Sequence, residues 1–339
     1  MAQTSTEEDG ESLLKLYLRP LLPYLGKPGL DGEAPMDGVA EIMINRPDDI
    51  WVERFGRVEK TNLVIEPQYL ENLVVYLAGI ARNIGGEGAI FNVYHWGLRI
   101  AATLPPTSHM GISLSIRRKM RIIVPLREYA QSAAAVGTPE IPDPADKTDL
   151  LRWLNAVVAE RKTILVAGGT SSGKTTFLNA LLSCIPEQER LLTIEDSPEL
   201  EPAAPNIVRF VASAQLNISP RDLIKQALRY RPDRIIVGEV RGEEALDMLD
   251  ACNTGHDGSM TSIHANSPLE ALGRLETLVM RAAASWTQAA IRQTISTSIH
   301  YVIQMRRRSD GGRGISDILA LHGITAGGQY DFRPIPIPE

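Results

Sequence analysis

Cysteine is almost absent from this chain: Cys184 and Cys252 are its only two. Two thiols cannot build a disulfide framework or a four-cysteine zinc site, and both are expected to be reduced and largely buried, as in a reducing compartment. Aromatic residues are scarce at 5%, and 35 Lys and Arg against 41 Asp and Glu leave a formal net charge of -6. The chain therefore lacks the basic, aromatic-interleaved surface on which single-stranded nucleic acid stacks, and it gives no strong nucleic-acid signal. No apolar run approaches the ~20 residues needed to span a bilayer. Residues Met1–Gly10 are polar and acidic, read as a disordered tail, and lack the basic start and apolar stretch of a signal peptide. The expectation is a cytoplasmic protein whose membrane contact is peripheral only.

What is present fits two domains: 339 residues, 44% of them hydrophobic. From 11 to 130 the pattern is α+β. Glu11–Leu25 carries a helix-like apolar stripe interrupted by Pro20 and Pro23, and its thin basic face (Lys15, Arg19) favours packing on its own domain over lying on a membrane. Short strand-like runs follow at Val39–Ile44, Ile50–Glu53, Leu63–Ile65, Arg99–Leu104 and Ile112–Ile116, with a helix over Pro67–Ile84. Gln131–Lys147 is rich in Ala, Gly and Pro and reads as a semi-extended linker able to hinge. From 148 to 339 strands and helices alternate, which implies an α/β domain with a mainly parallel sheet covered on both faces.

One segment of the second domain carries a phosphate-binding signature. Gly168-Gly169-Thr170-Ser171-Ser172-Gly173-Lys174-Thr175 follows the apolar run Thr163–Ala167, and precedes Phe177, Leu178, Leu181 and Leu182 at helical spacing. Such a strand, glycine-rich loop and helix present backbone N–H groups and a positive helix end to an anion. Lys174 is expected to reach the β- and γ-phosphates, and Thr175 to hold Mg²⁺.

Three further strand ends carry polar chemistry, where ligands of an open parallel sheet bind. After Leu191–Ile194 come Glu195 and Asp196, suited to orient water or touch the metal's water shell. After Ile235–Gly238 comes Glu239, in the place of the acid that binds Mg²⁺ directly or through water; its extra methylene relative to Asp also suits it to act on the attacking water. After Met260–Ile263 comes His264, with His256 a few residues earlier, and a histidine here can sense a γ-phosphate.

With these motifs in order, the chain resembles the hexameric secretion traffic ATPases of the type II/type IV superfamily, most of all the type IV secretion branch. GGTSSGKTT, TIEDSPEL, LRYRPDRIIVGEVRG and NTGHDGSMTSIHANSPLEALGRLE resemble the family's Walker A, Asp, Walker B and His boxes. VAEIMINRPDDIWVE, LRIAATLPP and GISLSIR resemble segments of its N-terminal domain. The resemblance implies a RecA-like P-loop domain, a smaller α+β N-terminal domain, and two stacked rings in a homohexamer with ATP between the domains. Gly173, Lys174, Thr175 and Thr176 match its phosphate and magnesium residues. Glu195 matches its Asp-box acid, Glu239 its Walker B acid and His264 its His-box histidine, while Arg99 and Arg117 match arginines that meet the phosphates. The implied activity is ATP hydrolysis that powers pilus assembly or export of a protein or DNA–protein substrate. The implied partners are inner-membrane secretion components and a substrate or coupling protein. Type II relatives carry a tetracysteine zinc site, which this chain cannot build.

Three other readings stay open at this level. They are a pilus extension or retraction motor of the same superfamily, a nucleic-acid translocase, and a scaffold locked by nucleotide without hydrolysis. Arg306-Arg307-Arg308 is the one dense basic run and reads as solvated charge at a strand end.

Overall fold

A computed structural model describes residues 16–25, 39–54, 57–83, 89–95, 97–118, 141–307 and 312–337. The acidic tail 1–10, residues 11–15 and most of the expected linker lie outside them. The chain divides into two compact units, Met1–Gly137 and Thr138–Glu339.

The first unit is a six-stranded antiparallel sheet backed by a helix. Its strands are β1 (Val39–Arg46), β2 (Asp49–Arg54), β3 (Arg57–Lys60), β4 (Ile90–His95), β5 (Leu98–Thr103) and β6 (Ser113–Arg118), in the order β3-β2-β1-β6-β5-β4. The helix α1 (Pro67–Asn83) presents Leu70, Leu73, Val74, Leu77 and Ala81, the recurrence of a single helical face, to Ile42, Ile44, Ile50, Val52, Ile100, Leu114 and Ile116. Pro20 breaks the N-terminal stripe into a 3₁₀ turn (Arg19–Leu21) and one turn of α-helix (Leu22–Leu25), which still bury Leu18, Leu21 and Leu25 in this core. Leu63–Ile65 is not a strand. Thr61 closes the β2–β3 ladder by donating from both N and Oγ1 to the Ile50 carbonyl, and Ile65 then buries its side chain in the core. The third strand is instead Arg57–Lys60, whose largely exposed, charged residues make an edge without an apolar signal.

The second unit contains α2 (Lys147–Ala159), β7 (Ile164–Gly168), α3 (Lys174–Leu182), β8 (Leu191–Glu195), β9 (Ile207–Val211), α4 (Pro220–Ala227) and β10 (Arg234–Val237). It continues with α5 (Glu244–Cys252), β11 (Met260–His264), α6 (Pro268–Ala282), α7 (Gln288–Ser298), β12 (Tyr301–Arg307), β13 (Arg313–Ile324) and β14 (Tyr330–Pro334). The eight strands run β14-β13-β12-β7-β11-β10-β8-β9. From β12 to β9 every pairing is parallel, and β13 and β14 join antiparallel at one side. Every residue of β7, β8 and β10 is buried, so both faces of the sheet are covered there. Helix starts are set by side-chain caps: Asp146 for α2, Ser219 with Asp222 in a capping box for α4, Ser267 for α6 and Thr287 for α7. Helix α3 has no such cap.

Candidate functional site

The strand order turns four separate motifs into one row. Strands β7, β11, β10 and β8 are neighbours, and their carboxyl ends deliver the phosphate loop, His264, Glu239 and Glu195 in that sequence across the sheet.

At the first position the chain leaves β7 through Gly168 and Gly169 and enters α3 through Gly173, which sits at φ 92°, a conformation glycine adopts without strain. A β-carbon at Gly168 would lie 2.3 Å from Ser172 Oγ and 2.8 Å from the Met305 carbonyl oxygen, so the loop can close only on a bare backbone. With no side chain capping α3, its first-turn N–H groups stay available to an anion. The Ser172 hydroxyl is buried without a protein partner. These features fit a bound phosphate. Arg313 of β13 steadies the loop from the side, its Nε donating to the Ser171 carbonyl at 3.1 Å.

Lys174, the first residue of α3, is buried. Its Nζ donates to the Gly168 and Gly169 carbonyls, each at 3.1 Å, and lies 3.3 Å from His264 Nδ1. His264 Nε2 lies 3.1 Å from Glu239 Oε1. An ammonium beside Nδ1 requires a lone pair there, so the imidazole is neutral with its proton on Nε2, toward Glu239. Burial depresses the His264 pKa, against the pull of Glu239 and with the push of Lys174 and Arg241, in line with that tautomer. Burial also lowers the Lys174 pKa, with Glu239 opposing it.

Glu239 Oε2 accepts from Arg241 at 2.8 Å, and Arg241 also reaches Asp196 at 3.4 Å. Glu195 is differently placed. Its Oε1 accepts the N–H groups of Glu199 and Leu200 at 2.9 and 2.8 Å, while Oε2 is buried without a partner. Desolvation by burial raises its pKa, against those two backbone donors. Gly238 lets β10 lie against it, since a β-carbon there would be 3.2 Å from Glu195 Cγ.

Two cavities flank the row. One of about 240 Å³ is lined by Thr175, Glu195, Asp196, Glu199, Glu239 and Arg241 among others. The other, about 690 Å³, meets Gly169, Thr170, Arg241, His264, Arg274 and Arg281. Among the described residues no three His, Cys, Asp or Glu side chains form a metal cage. That donor set suits Mg²⁺, which takes most of its ligands from phosphate oxygens and water, with Thr175 and Glu239 placed to supply the protein's share.

Some expected residues lie elsewhere. His256 precedes β11, at the opposite end of the sheet from the phosphate loop, and its Nδ1 lies 3.1 Å from the Ala251 carbonyl at the end of α5. Arg99 and Arg117 belong to the first unit, where they are exposed cross-strand partners on β5 and β6.

The sequence pattern described as "Type II/IV secretion system protein" matches residues 98–311, more than half of the chain. The chain belongs to the type II/IV secretion system family. VirB11 of Agrobacterium tumefaciens is 33% identical over 321 residues, which cover 88% of this chain and 91% of that protein. A putative conjugal transfer protein of Mycobacterium tuberculosis is 32% identical over 299 residues, 84% and 81% of the two chains. The crystal structure of the VirB11 ATPase from the Brucella suis type IV secretion system, in complex with sulphate, superposes with a TM-score of 0.79 at 28% identity, covering 93% of this chain and 96% of that one. This secretion ATPase therefore falls in the type IV branch.

Sequence reasoning did not single out Arg313 or Arg274, and it quoted Arg241 without a role. Arg313 follows Gly311-Gly312 in a stretch read as solvated turn, and only the antiparallel return of β13 beside β12 brings it to the loop. Arg241 carries a signal that was legible, two residues past the Walker B acid and so on the same strand end.

Proposed function

We propose that this ATPase takes ATP with Mg²⁺ and works as a homohexamer at the cytoplasmic face of the inner membrane. There it powers pilus assembly or export of a protein or DNA–protein substrate through a type IV secretion system. The observation that carries the reading is the unbroken contact from Lys174 through His264 to Glu239, which links the phosphate-gripping end of the row to its acidic end.

Lys174 exchanges the Gly168 and Gly169 carbonyls for β- and γ-phosphate oxygens, and the loop from Gly168 to Gly173, with Thr175 and Thr176, cradles them by backbone N–H and hydroxyl. The Thr175 hydroxyl and Glu239, directly or through water, would hold Mg²⁺, which would supply charge neutralisation at the phosphate oxygens. Glu195 orients the attacking water: its Oε2 and Glu239 Oε1 are both buried without a hydrogen-bond partner, but Glu239 is already drawn to Arg241 and is the acid set beside the metal. When Lys174 turns to the γ-phosphate, His264 Nδ1 loses its donor, and the change is felt at Glu239 through the same ring. Arg99 and Arg117 add charge-assisted bonds to the phosphates. Two like charges side by side on a sheet disfavour each other, and a shared anion relieves them. Loss of phosphate removes these contacts and shifts the equilibrium between the two domains, hinged in segment 131–147. Inner-membrane components and a substrate or coupling protein receive that motion.

Phosphate release by the purified chain tests this. Lys174→Ala and Glu239→Gln are each expected to lower turnover by at least ~10²-fold, with ADP binding kept in Glu239→Gln. Mass determination in solution is expected to give a hexamer with ATP; wild-type turnover in Lys174→Ala, or a strict monomer, contradicts the reading.

A further inference from the structure

The cavity of about 240 Å³ beside Thr175 is strongly acidic: Glu195, Asp196, Glu199 and Glu239 all line it. Arg241 is the one cation among its lining residues. The guanidinium spans two of the four carboxylates, Glu239 Oε2 at 2.8 Å and Asp196 Oδ2 at 3.4 Å.

Arg241 is built with a fixed base and a free head. Its own N–H and that of Gly242 donate to Glu244 Oε1 at 2.6 and 2.8 Å, so the start of α5 pins the backbone. The side chain is 61% exposed, whereas that of Glu239 is 16% exposed. The same residue lines the larger cavity, next to Gly169, Thr170 and His264. Even with Glu239 Oε1 open to a divalent cation, a guanidinium on Oε2 of the same carboxylate repels that cation and weakens its hold.

We propose that Arg241 is the resident counter-ion of the metal cavity. Its guanidinium holds Glu239 and Asp196 between turnovers, opposes the metal on Glu239 when metal and nucleotide load, and so favours release of the metal with the spent nucleotide. The inference rests on the nucleotide reading above and adds a determinant of metal affinity to it.

The probe is Mn²⁺, counted by electron paramagnetic resonance as it is titrated into the full chain with saturating ADP. Arg241→Gln is expected to bind Mn²⁺ more tightly by roughly fivefold, the upper end for a partly exposed ion pair, with Arg241→Lys between it and the wild type. Release of fluorescent ADP after metal chelation should not differ between the variants, whereas its release with Mn²⁺ present should be slower in Arg241→Gln. Unchanged or weaker Mn²⁺ affinity in Arg241→Gln overturns the inference. If the wild type fails to bind ADP with Mn²⁺ or Mg²⁺ present, the nucleotide reading itself fails, and the two failures are thus told apart.

Discussion

Glu195 shows how one side chain can be costly to the fold and useful to the site. Its carboxyl is buried, and desolvation holds its pKa above the unfolded value of 4.5 despite two backbone donors. An acid shifted in that direction contributes its full stability below the unfolded pKa and loses it as pH rises through the folded one. At neutral pH the ionised group is therefore a liability. Glu195→Gln keeps an acceptor for Glu199 and Leu200 and removes the buried charge. Thermal melts should show the variant above the wild type at pH 7.5 and the gap closing toward pH 4, while phosphate release falls. A lower melting temperature at every pH contradicts this account. His264 has the opposite sign of dependence: a base whose folded pKa lies below 6.5 stabilises the fold above that pH and ceases to as pH falls through the depressed value.

At the level of elements, the phosphate loop is held by a strand that the sequence did not announce. Arg313 reaches Ser171 across 142 residues of chain, and a β-carbon at Gly173 would lie 3.0 Å from its Cδ. Arg313→Ala is expected to raise the KM for ATP roughly fivefold, the worth of one hydrogen bond of about 1 kcal/mol, without lowering the melting temperature. Gly173→Ala is expected to abolish ATP binding, since it meets both a left-handed backbone and that side chain. These two cases mark what was legible. The glycine-rich turn and its flanks were readable because apolar β7 and amphipathic α3 carry strong periodicity, and the acids Glu195 and Glu239 and the histidine His264 could be found by counting along buried β8, β10 and β11. Strands β4, β9, β13 and β14 and helix α7 escaped the sequence reading. Tyr330–Pro334 alternates half-buried and exposed positions at the side of a sheet, and Arg313–Asp317 is mostly polar, so neither gives the continuous apolar run of a central strand. Strand β3 was misplaced onto Leu63–Ile65 for the same reason, apolar content standing in for ladder membership.

The residues proposed to meet the phosphates fall in two units, Arg99 and Arg117 in one and the row from Lys174 to Glu195 in the other. Arg117 also stands opposite buried Glu41 on its other side, so Arg99→Ala alone is the cleaner change: it relieves the like-charge pair and leaves the Glu41 partner in place, and the melting temperature is expected to hold or rise while turnover falls. A loss of both together would instead mark Arg99 as structural. In the second unit, the strand that feeds the phosphate loop is flanked by β11 and β12, which are made far later than itself. As the polypeptide leaves the ribosome, Ile164–Gly168 has no ladder partner until residues 260–264 emerge and no second one until 301–307 follow. Nascent chains thus pass the whole stretch from 168 to 260 with the apolar loop-bearing strand unpaired, a window for chaperone capture, and nucleotide cannot be gripped before translation of this unit is nearly finished.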